Sequence, residues 1–241
     1  MIGPIALFLS WLLLRFEGRG LGELGFNAAR VRAGQFLAGL LIAGGVVAVQ
    51  QLGMSAASGV VWKLNPEMDV SRFLHGIRLN TNSVLYEEFL FRGYLLYQGI
   101  RWLGATRGVL IGAAAFGIYH WFSYGIIGDP VAMVFIFVLT GSFGLMLGLA
   151  FAKTKSMAAP IGLHLGWNVV AYLGFSIGPF GPGVWMASNG APNMDVPGVM
   201  GLALGIGLPV SFVLVTCWYL LRRSVNDGTA VARDSNEVTV A

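Results

Sequence analysis

The stretch VLYEEFLFR, from Val84 to Arg92, decides the fold because it sets three ionisable side chains inside an otherwise apolar run. Two of them, Glu87 and Glu88, are adjacent, and Arg92 follows Glu88 by four residues. A charged side chain in the middle of a bilayer costs about 2.5 to 3.5 kcal/mol, so charges that remain in apolar helices usually face a protein interior or a cavity. The motif therefore predicts a helix whose polar side is turned away from lipid.

The composition of the whole chain predicts a membrane protein. Of its 241 residues, 56% are hydrophobic and only 11% are charged, and the mean hydropathy is +0.73. Such a chain has too little polar surface to coat a soluble globule. Uncharged runs long enough to cross a hydrocarbon core, which needs about 20 helical residues, occur five times. They are Gly34 to Trp62, Gly108 to Gly128, Pro130 to Ala152, Met157 to Gly178 and Gly198 to Leu221.

Two further stretches complete the predicted bundle. Residues 84 to 104 are expected to form a sixth span despite their charges, and residues 2 to 14 to form a short or tilted first helix. We therefore predict an all-α, polytopic helical bundle of about six to eight transmembrane helices in the cell membrane. Residues 1 to 223 are predicted to form a single membrane-embedded domain, and the small and charged residues 224 to 241 a disordered tail.

The basic residues are distributed unevenly between the two ends of this bundle. Most of the 15 lysines and arginines fall at one end, and the other end receives only Lys63, Arg72 and Arg78. By the positive-inside rule the richer end is cytoplasmic. At the less basic end, residues 63 to 83 are predicted to be an interfacial segment and residues 178 to 197, rich in Gly, Pro and Asn, an irregular loop. No nucleic-acid-binding stripe is present, so we expect no nucleic-acid partner.

Two later spans carry polar residues at the same four-residue spacing. Phe116 and His120 form one pair, and His164 and Asn168 form the other. Counted inward from the basic end, Glu87, His120 and Asn168 each lie thirteen or fourteen residues deep, about 20 Å at 1.5 Å per helical residue. The three helices are therefore predicted to bring these side chains into one layer around a buried cavity.

The residue types in this layer predict hydrolysis. A carboxylate with an imidazole in reach can deprotonate a water molecule, and Glu87 and His120 are our candidates for that task. Glu88 and Arg92 share one helix face and are expected to form an ion pair, which leaves the neighbouring Glu87 free.

His164 and Asn168 could donate hydrogen bonds to an oxyanion. The candidate residues of the layer also have structural interpretations. The Glu88–Arg92 pair can be a purely structural ion pair, and His or Asn side chains can bridge membrane helices. The agreement of type, order and depth favours the catalytic interpretation.

The motifs YEEFLFR, FGIYH and HLGWN, in that order, resemble the CAAX prenyl protease and bacteriocin-processing (Abi) family of intramembrane glutamic endopeptidases. The resemblance extends over about residues 84 to 173 and implies a catalytic core there. It implies that Glu87 and His120 activate water, and that His164 and Asn168 form the oxyanion site with Glu88 and Arg92 in support. It also implies peptide-bond cleavage in a membrane-associated or lipidated substrate, with no cofactor or metal.

Two alternatives stay open at this stage. A metal-dependent intramembrane protease could take Glu and His ligands from several helices, although the sequence contains no His-Glu-x-x-His motif. A non-catalytic scaffold, or a proton-coupled transporter that uses Glu87 as a buried proton site, is the second alternative.

Overall fold

The computed structural model describes residues 3–190 and 196–222, and nearly all of its regular structure is helical. This confirms the predicted all-α bundle. The predicted tail, residues 224 to 241, lies outside the described residues. The α-helices are α1 (Gly3–Phe16), α2 (Ala29–Ser58), α3 (Val70–Phe91), α4 (Tyr94–Leu103), α5 (Ala105–Ser123), α6 (Pro130–Thr154), α7 (Ala158–Asn168), α8 (Gly198–Leu202) and α9 (Leu208–Arg222). A 3₁₀ turn (Leu21–Leu24), two π-helical turns (Val169–Gly174 and Ala203–Gly207) and two short strands, β1 (Trp62–Leu64) and β2 (Trp185–Ala187), complete the described elements.

Three helical segments in the described residues are long and apolar enough to cross a membrane. They are Leu21–Ser58, Pro130–Thr154 and Gly198–Arg222. Large apolar side chains on their outer faces, such as Leu41, Val134 and Val215, are more than half exposed, as expected for surfaces that lie against lipid. The chain is thus a membrane protein, while the predicted total of six to eight crossings stays a prediction.

The helix predicted over residues 84 to 104 is interrupted, which corrects the single-span interpretation. α3 ends at Phe91, and Gly93 has a non-helical ψ of −136° before α4 begins. A Cβ at Gly93 would lie 2.2 Å from the Phe89 carbonyl oxygen, so only glycine fits. The Tyr94 N–H donates to the Ser10 hydroxyl at 3.3 Å. α1 therefore packs at this break and supplies the acceptor that a continuous helix would have provided.

The less basic end contains a short strand pairing that the prediction of an interfacial segment and an irregular loop did not include. β1 and β2 pair as an antiparallel two-stranded ribbon, with Lys63 opposite Met186. Asn65 extends this connection, because its side-chain amide donates to the Gly183 carbonyl at 3.0 Å. The segment before β2 is therefore fixed by hydrogen bonds to the connection between β1 and α3.

α2 and α7 pack in close contact through a pair of small residues. A Cβ at Gly162 would lie 2.1 Å from the Phe36 carbonyl oxygen, and one at Gly166 would lie 2.2 Å from the Leu40 oxygen. Small residues at four-residue spacing let membrane helices approach to backbone contact. This contact positions α7, which carries His164 and Asn168.

We expect Gly162→Ala to lower the melting temperature in detergent strongly, because the added methyl group forces α2 and α7 apart and overpacking typically costs about 1 to 3 kcal/mol. Gly45→Ala is the matched control. Gly45 lies on α2, and a Cβ at this position would have no atom within 4 Å, so its replacement should leave the melting temperature equal or higher. Equal melting of the two variants would contradict the close packing described here.

Candidate active site

The most buried charge in the predicted layer is Glu88. Its side chain is fully buried, and its Oε1 accepts a hydrogen bond from Arg92 Nη1 at 3.0 Å. The Arg92 side chain is also buried, with its guanidinium 4.1 Å from the centroid of the Phe116 ring, a cation–π geometry. Arg92 Nη2 lies 3.5 Å from the Gly144 carbonyl oxygen. The predicted i, i+4 ion pair is present, and it is enclosed by α5 and α6.

The same carboxylate also holds His164, a contact that the sequence analysis did not anticipate. His164 Nδ1 donates to Glu88 Oε1 at 2.8 Å, because a carboxylate can only accept. The other ring nitrogen, Nε2, lies 3.8 Å from Glu87 Oε2. His164 on α7 therefore lies between the two adjacent glutamates of α3.

Glu87 differs from Glu88 in its exposure and in its contacts. Its side chain is 13% exposed, and its buried Oε2 has no hydrogen-bond partner among residues 3–190 and 196–222. Glu87 and His120, which the sequence analysis paired, make no direct hydrogen bond in this part of the chain. The imidazole nearest to the Glu87 carboxylate is that of His164.

His120 is oriented by its own helix. Its Nδ1 lies 2.8 Å from the Phe116 carbonyl oxygen, which can only accept, so Nδ1 carries the hydrogen. The Phe116 ring packs edge-on against both imidazoles, with centroids 4.5 Å from His120 and 6.2 Å from His164. In the neutral ring, the Nε2 atom of His120 is left as an acceptor.

A cavity of about 240 Å³ lies beside the two imidazoles. His120, His164 and Asn168 all line it. Each is more than nine-tenths buried, and the Asn168 side chain makes no hydrogen bond within the described part of the chain. The remaining polar and aromatic lining residues are Gln50, Phe116, Tyr124, Thr140, Ser142, Phe143, Trp167 and Tyr172. The fold thus brings the predicted residues of α5 and α7 to one cavity, beside the glutamates of α3.

Two tyrosines that line the cavity were not predicted from the sequence, although a simple spacing pattern identifies them. Tyr124 follows His120 by four residues, and Tyr172 follows Asn168 by four, so each extends its motif by one further turn. Tyr172 lies in the π-helical turn Val169–Gly174. Such turns are often found at functional sites.

Within residues 3–190 and 196–222, no group of three or more His, Cys, Asp or Glu side chains is arranged to hold a metal ion. Cys217 is a free thiol on α9 and does not line the cavity.

The fold and the site together define a helical membrane protein with a buried, cavity-facing cluster of carboxylates and imidazoles. Residues 70–170 match the family model of the Rce1-like type II CAAX prenyl endopeptidases. The matched segment contains all three motifs, and the match supports the CAAX protease family that the motifs predicted. No curated protein and no solved structure matches the chain. The family supports a CAAX-type membrane endopeptidase, and hence a hydrolase.

We expect Arg92→Ala to lower the melting temperature sharply, because it leaves the Glu88 carboxylate buried without its cation. Removing one partner of a buried ion pair typically costs about 3 to 5 kcal/mol. Arg101→Ala is the control: Arg101 pairs with Glu17 at 2.8 Å, but its side chain is 37% exposed, and exposed pairs contribute only about 0 to 1 kcal/mol. Similar melting temperatures for the two variants would remove the structural role assigned to Arg92.

Proposed function

We propose that this protein is an intramembrane glutamic endopeptidase that hydrolyses a peptide bond of a membrane-associated or lipidated substrate. The observation that supports this most directly is the unpartnered Oε2 of Glu87, buried 3.8 Å from His164 Nε2. A buried carboxylate oxygen without a donor has a strong tendency to hold a water molecule. Such a water would lie next to His164, which lines the cavity.

In the proposed reaction, Glu87 is the general base. The water oxygen attacks the carbonyl carbon of the scissile bond while its proton passes to the Glu87 carboxylate. His120, which lines the cavity, assists with its Nε2 acceptor, which can align the water. When the tetrahedral intermediate collapses, the C–N bond breaks and the proton held by Glu87 passes to the leaving amine nitrogen. The products are a new carboxyl terminus and a new amino terminus.

The oxyanion that forms on the carbonyl oxygen must be stabilised by hydrogen-bond donors. Asn168 offers its side-chain amide, which has no other partner in the described residues. His164 offers Nε2–H when the ring is protonated, since Nδ1–H is already donated to Glu88. A protonated His164 also balances the charge of the cluster, because Glu87 and Glu88 then face two cations, Arg92 and His164. The contact with Glu88 therefore supports the donor role of His164.

A proton-coupled transporter is the alternative function. The unpartnered Glu87 carboxylate favours it as well, because a buried carboxylate beside a cavity can also carry a proton. Cleavage separates the two functions. A transporter leaves peptides intact, and an endopeptidase produces new chain ends that depend on Glu87.

Terminal proteomics of membranes tests the endopeptidase directly. New peptide termini should appear in cells that produce the protein and disappear with Glu87→Gln, which removes the base but keeps the side-chain shape and one acceptor oxygen. The control is Glu67→Gln, whose parent side chain is 70% exposed. Unchanged cleavage by a correctly folded Glu87→Gln variant would refute the proposal. Activity that is abolished by strong chelators and restored by a divalent metal ion would favour a metal-dependent protease.

Asn168→Ala should lower kcat by about 10² to 10³, the usual effect of deleting one oxyanion donor, with little change in melting temperature. His164→Ala should cause a similar loss and also lower the melting temperature, because it breaks the bond to Glu88. Rates of cleavage of an identified substrate by purified variants provide the measurement. Asn82→Ala, a change on α3 that does not affect the cavity lining, should cleave at the parental rate. Normal turnover by Asn168→Ala would eliminate Asn168 from the oxyanion site.

A further inference from the structure

A second cavity, of about 560 Å³, lies at the basic end of the bundle and shares no lining residue with the cavity beside the imidazoles. It is bounded by the connection from the 3₁₀ turn to α2, by the first two turns of α2, and by the start of α7. Its lining is mostly apolar and includes Phe26, Phe36, Met157 and Ile161. Arg32 is the only ionisable residue among its described lining residues. The cavity therefore combines an apolar surface with a single cation.

Neutral acceptors hold the Arg32 guanidinium in place. Its Nη1 donates to the Thr154 carbonyl at 2.9 Å and to Gln35 Oε1 at 3.1 Å. Its Nε and Nη2 both donate to Asn27 Oδ1, at 3.4 and 3.2 Å. These bonds use four of the five guanidinium N–H groups, and the second Nη2–H has no acceptor in the part of the chain that the structure describes. The bonds orient the guanidinium but leave its charge unbalanced.

No carboxylate pairs with Arg32 within the described residues. The two described glutamates of the basic end, Glu17 and Glu23, form their ion pairs with other arginines. The Arg32 side chain is only partly exposed, so salt and water screen its charge less than that of a surface residue. A half-buried guanidinium without a carboxylate partner favours an anionic ligand, and its planar donors suit a phosphate group in particular.

Three more cations lie close to Arg32 or to its partner along the chain. Arg30 is two residues from Arg32 on α2. Lys153 and Lys155 flank Thr154, whose carbonyl accepts from Arg32. None of the three forms an ion pair in residues 3–190 and 196–222. Basic residues grouped at one membrane surface attract anionic lipid headgroups, and basic pockets between membrane helices bind them.

The wall of the cavity is held by hydrogen bonds and by close packing. The Met157 N–H donates to the Leu24 carbonyl at 3.0 Å, and the Ala158 N–H donates to the Ser156 hydroxyl at 3.0 Å. Gly25 has a φ of +86°, and a Cβ at this position would lie 2.5 Å from Ser156. The turn before α7 is thus fixed against the segment before α2, and the cavity is formed without a ligand.

The apolar lining distinguishes a lipid from a soluble anion. The Phe26 side chain, which lines the cavity, is 49% exposed. A free phosphate would bind the cation and leave such apolar surface in contact with water, whereas a phospholipid covers both. Small-molecule sites have volumes of about 300 to 1,000 Å³, so this cavity can hold a headgroup together with the first carbons of an acyl chain.

We propose that this cavity binds one anionic phospholipid from the leaflet at the basic end of the bundle. The phosphate binds to the Arg32 guanidinium, with Lys153 and Lys155 in the flanking turn as further cations. The first carbons of an acyl chain occupy the apolar lining. Because Ile161 belongs to α7, the bound lipid packs against the helix that carries His164. The proposal is independent of the proposed endopeptidase activity, since lipid binding is measured without any cleavage.

Native mass spectrometry of the purified full chain in detergent tests this binding. The probes are dioleoylphosphatidylglycerol, which is anionic, dioleoylphosphatidylcholine, which has the same acyl chains and no net charge, and inorganic phosphate. The parent should bind one phosphatidylglycerol saturably and at least about tenfold more tightly than phosphatidylcholine, the effect of a hydrogen bond to a charged group. Arg32→Gln should bring the two affinities to the same value. Inorganic phosphate should not displace the lipid, because it leaves the apolar lining uncovered.

A second variant tests the cavity without removing the cation. Ala33 is exposed and lines the cavity, so Ala33→Trp should fill the space and weaken the binding of both phospholipids. This variant keeps every hydrogen bond of Arg32, so it tests the proposal even if Arg32→Gln does not fold. Phosphatidylglycerol should also raise the melting temperature of the parent but not that of Ala33→Trp, because a ligand stabilises only the protein that binds it.

Two matched variants serve as controls. Ala38→Trp places the same large side chain at an exposed position of α2 outside the cavity, and Arg107→Gln removes an exposed cation elsewhere at the basic end. Both should bind phosphatidylglycerol like the parent. Equal affinity of the parent for the two phospholipids, or parental binding by Ala33→Trp or by folded Arg32→Gln, would overturn the proposal. Displacement of the lipid by inorganic phosphate would also overturn it, since the cavity would then be a site for free anions.

Discussion

The structure depends on one buried carboxylate oxygen that serves two helices. Oε1 of Glu88 accepts from Arg92 on its own helix at 3.0 Å and from His164 on α7 at 2.8 Å. A fully buried carboxylate is costly unless nearby positive charge and hydrogen-bond donors balance it, so Glu88 fixes the positions of both Oε1 partners. It determines how α7 is rotated against α3, because a rotated α7 would leave the charge without its second donor. The side of α7 that carries Asn168 is thereby directed to the cavity.

Adjacent glutamates make this arrangement possible because they point in different directions. Successive residues of an α-helix are about 100° apart, so Glu88 can point into the bundle while Glu87 points along its edge. Each carboxylate keeps its buried Oε2 without a hydrogen-bond partner in the described residues. They differ because Glu88 is fully buried with Oε1 bonded to Arg92 and His164, whereas Glu87 is 13% exposed. The two residues are chemically the same and differ only in what surrounds them. In the proposed mechanism that difference alone decides which glutamate acts as base.

Sequence patterns were sufficient to predict the helical membrane bundle, and the candidate site residues were selected by the same local rules. The four-residue spacing predicted the ion pair of Glu88 with Arg92. The number of residues from the basic end of each helix predicted that His120 and Asn168 lie in one layer. What the patterns did not predict depends on contacts between distant segments. The Glu88–His164 bond joins residues 76 positions apart, and the helix break at Gly93 reflects the arrival of α1 at Ser10. Neither has a signature within its own stretch of sequence, and the catalytic roles themselves stay predictions.

The π-helical turn after Asn168 shows how a small departure from regular helix extends the site. A π turn includes more residues per turn than an α-helix, so Val169–Gly174 does not continue the rotation of α7 unchanged. Tyr172 in this turn lines the cavity that contains His164, and the next residue, Leu173, presents its carbonyl to the segment before β2. The irregular turn is therefore the element that connects the buried acid–imidazole cluster to the polar end of the bundle.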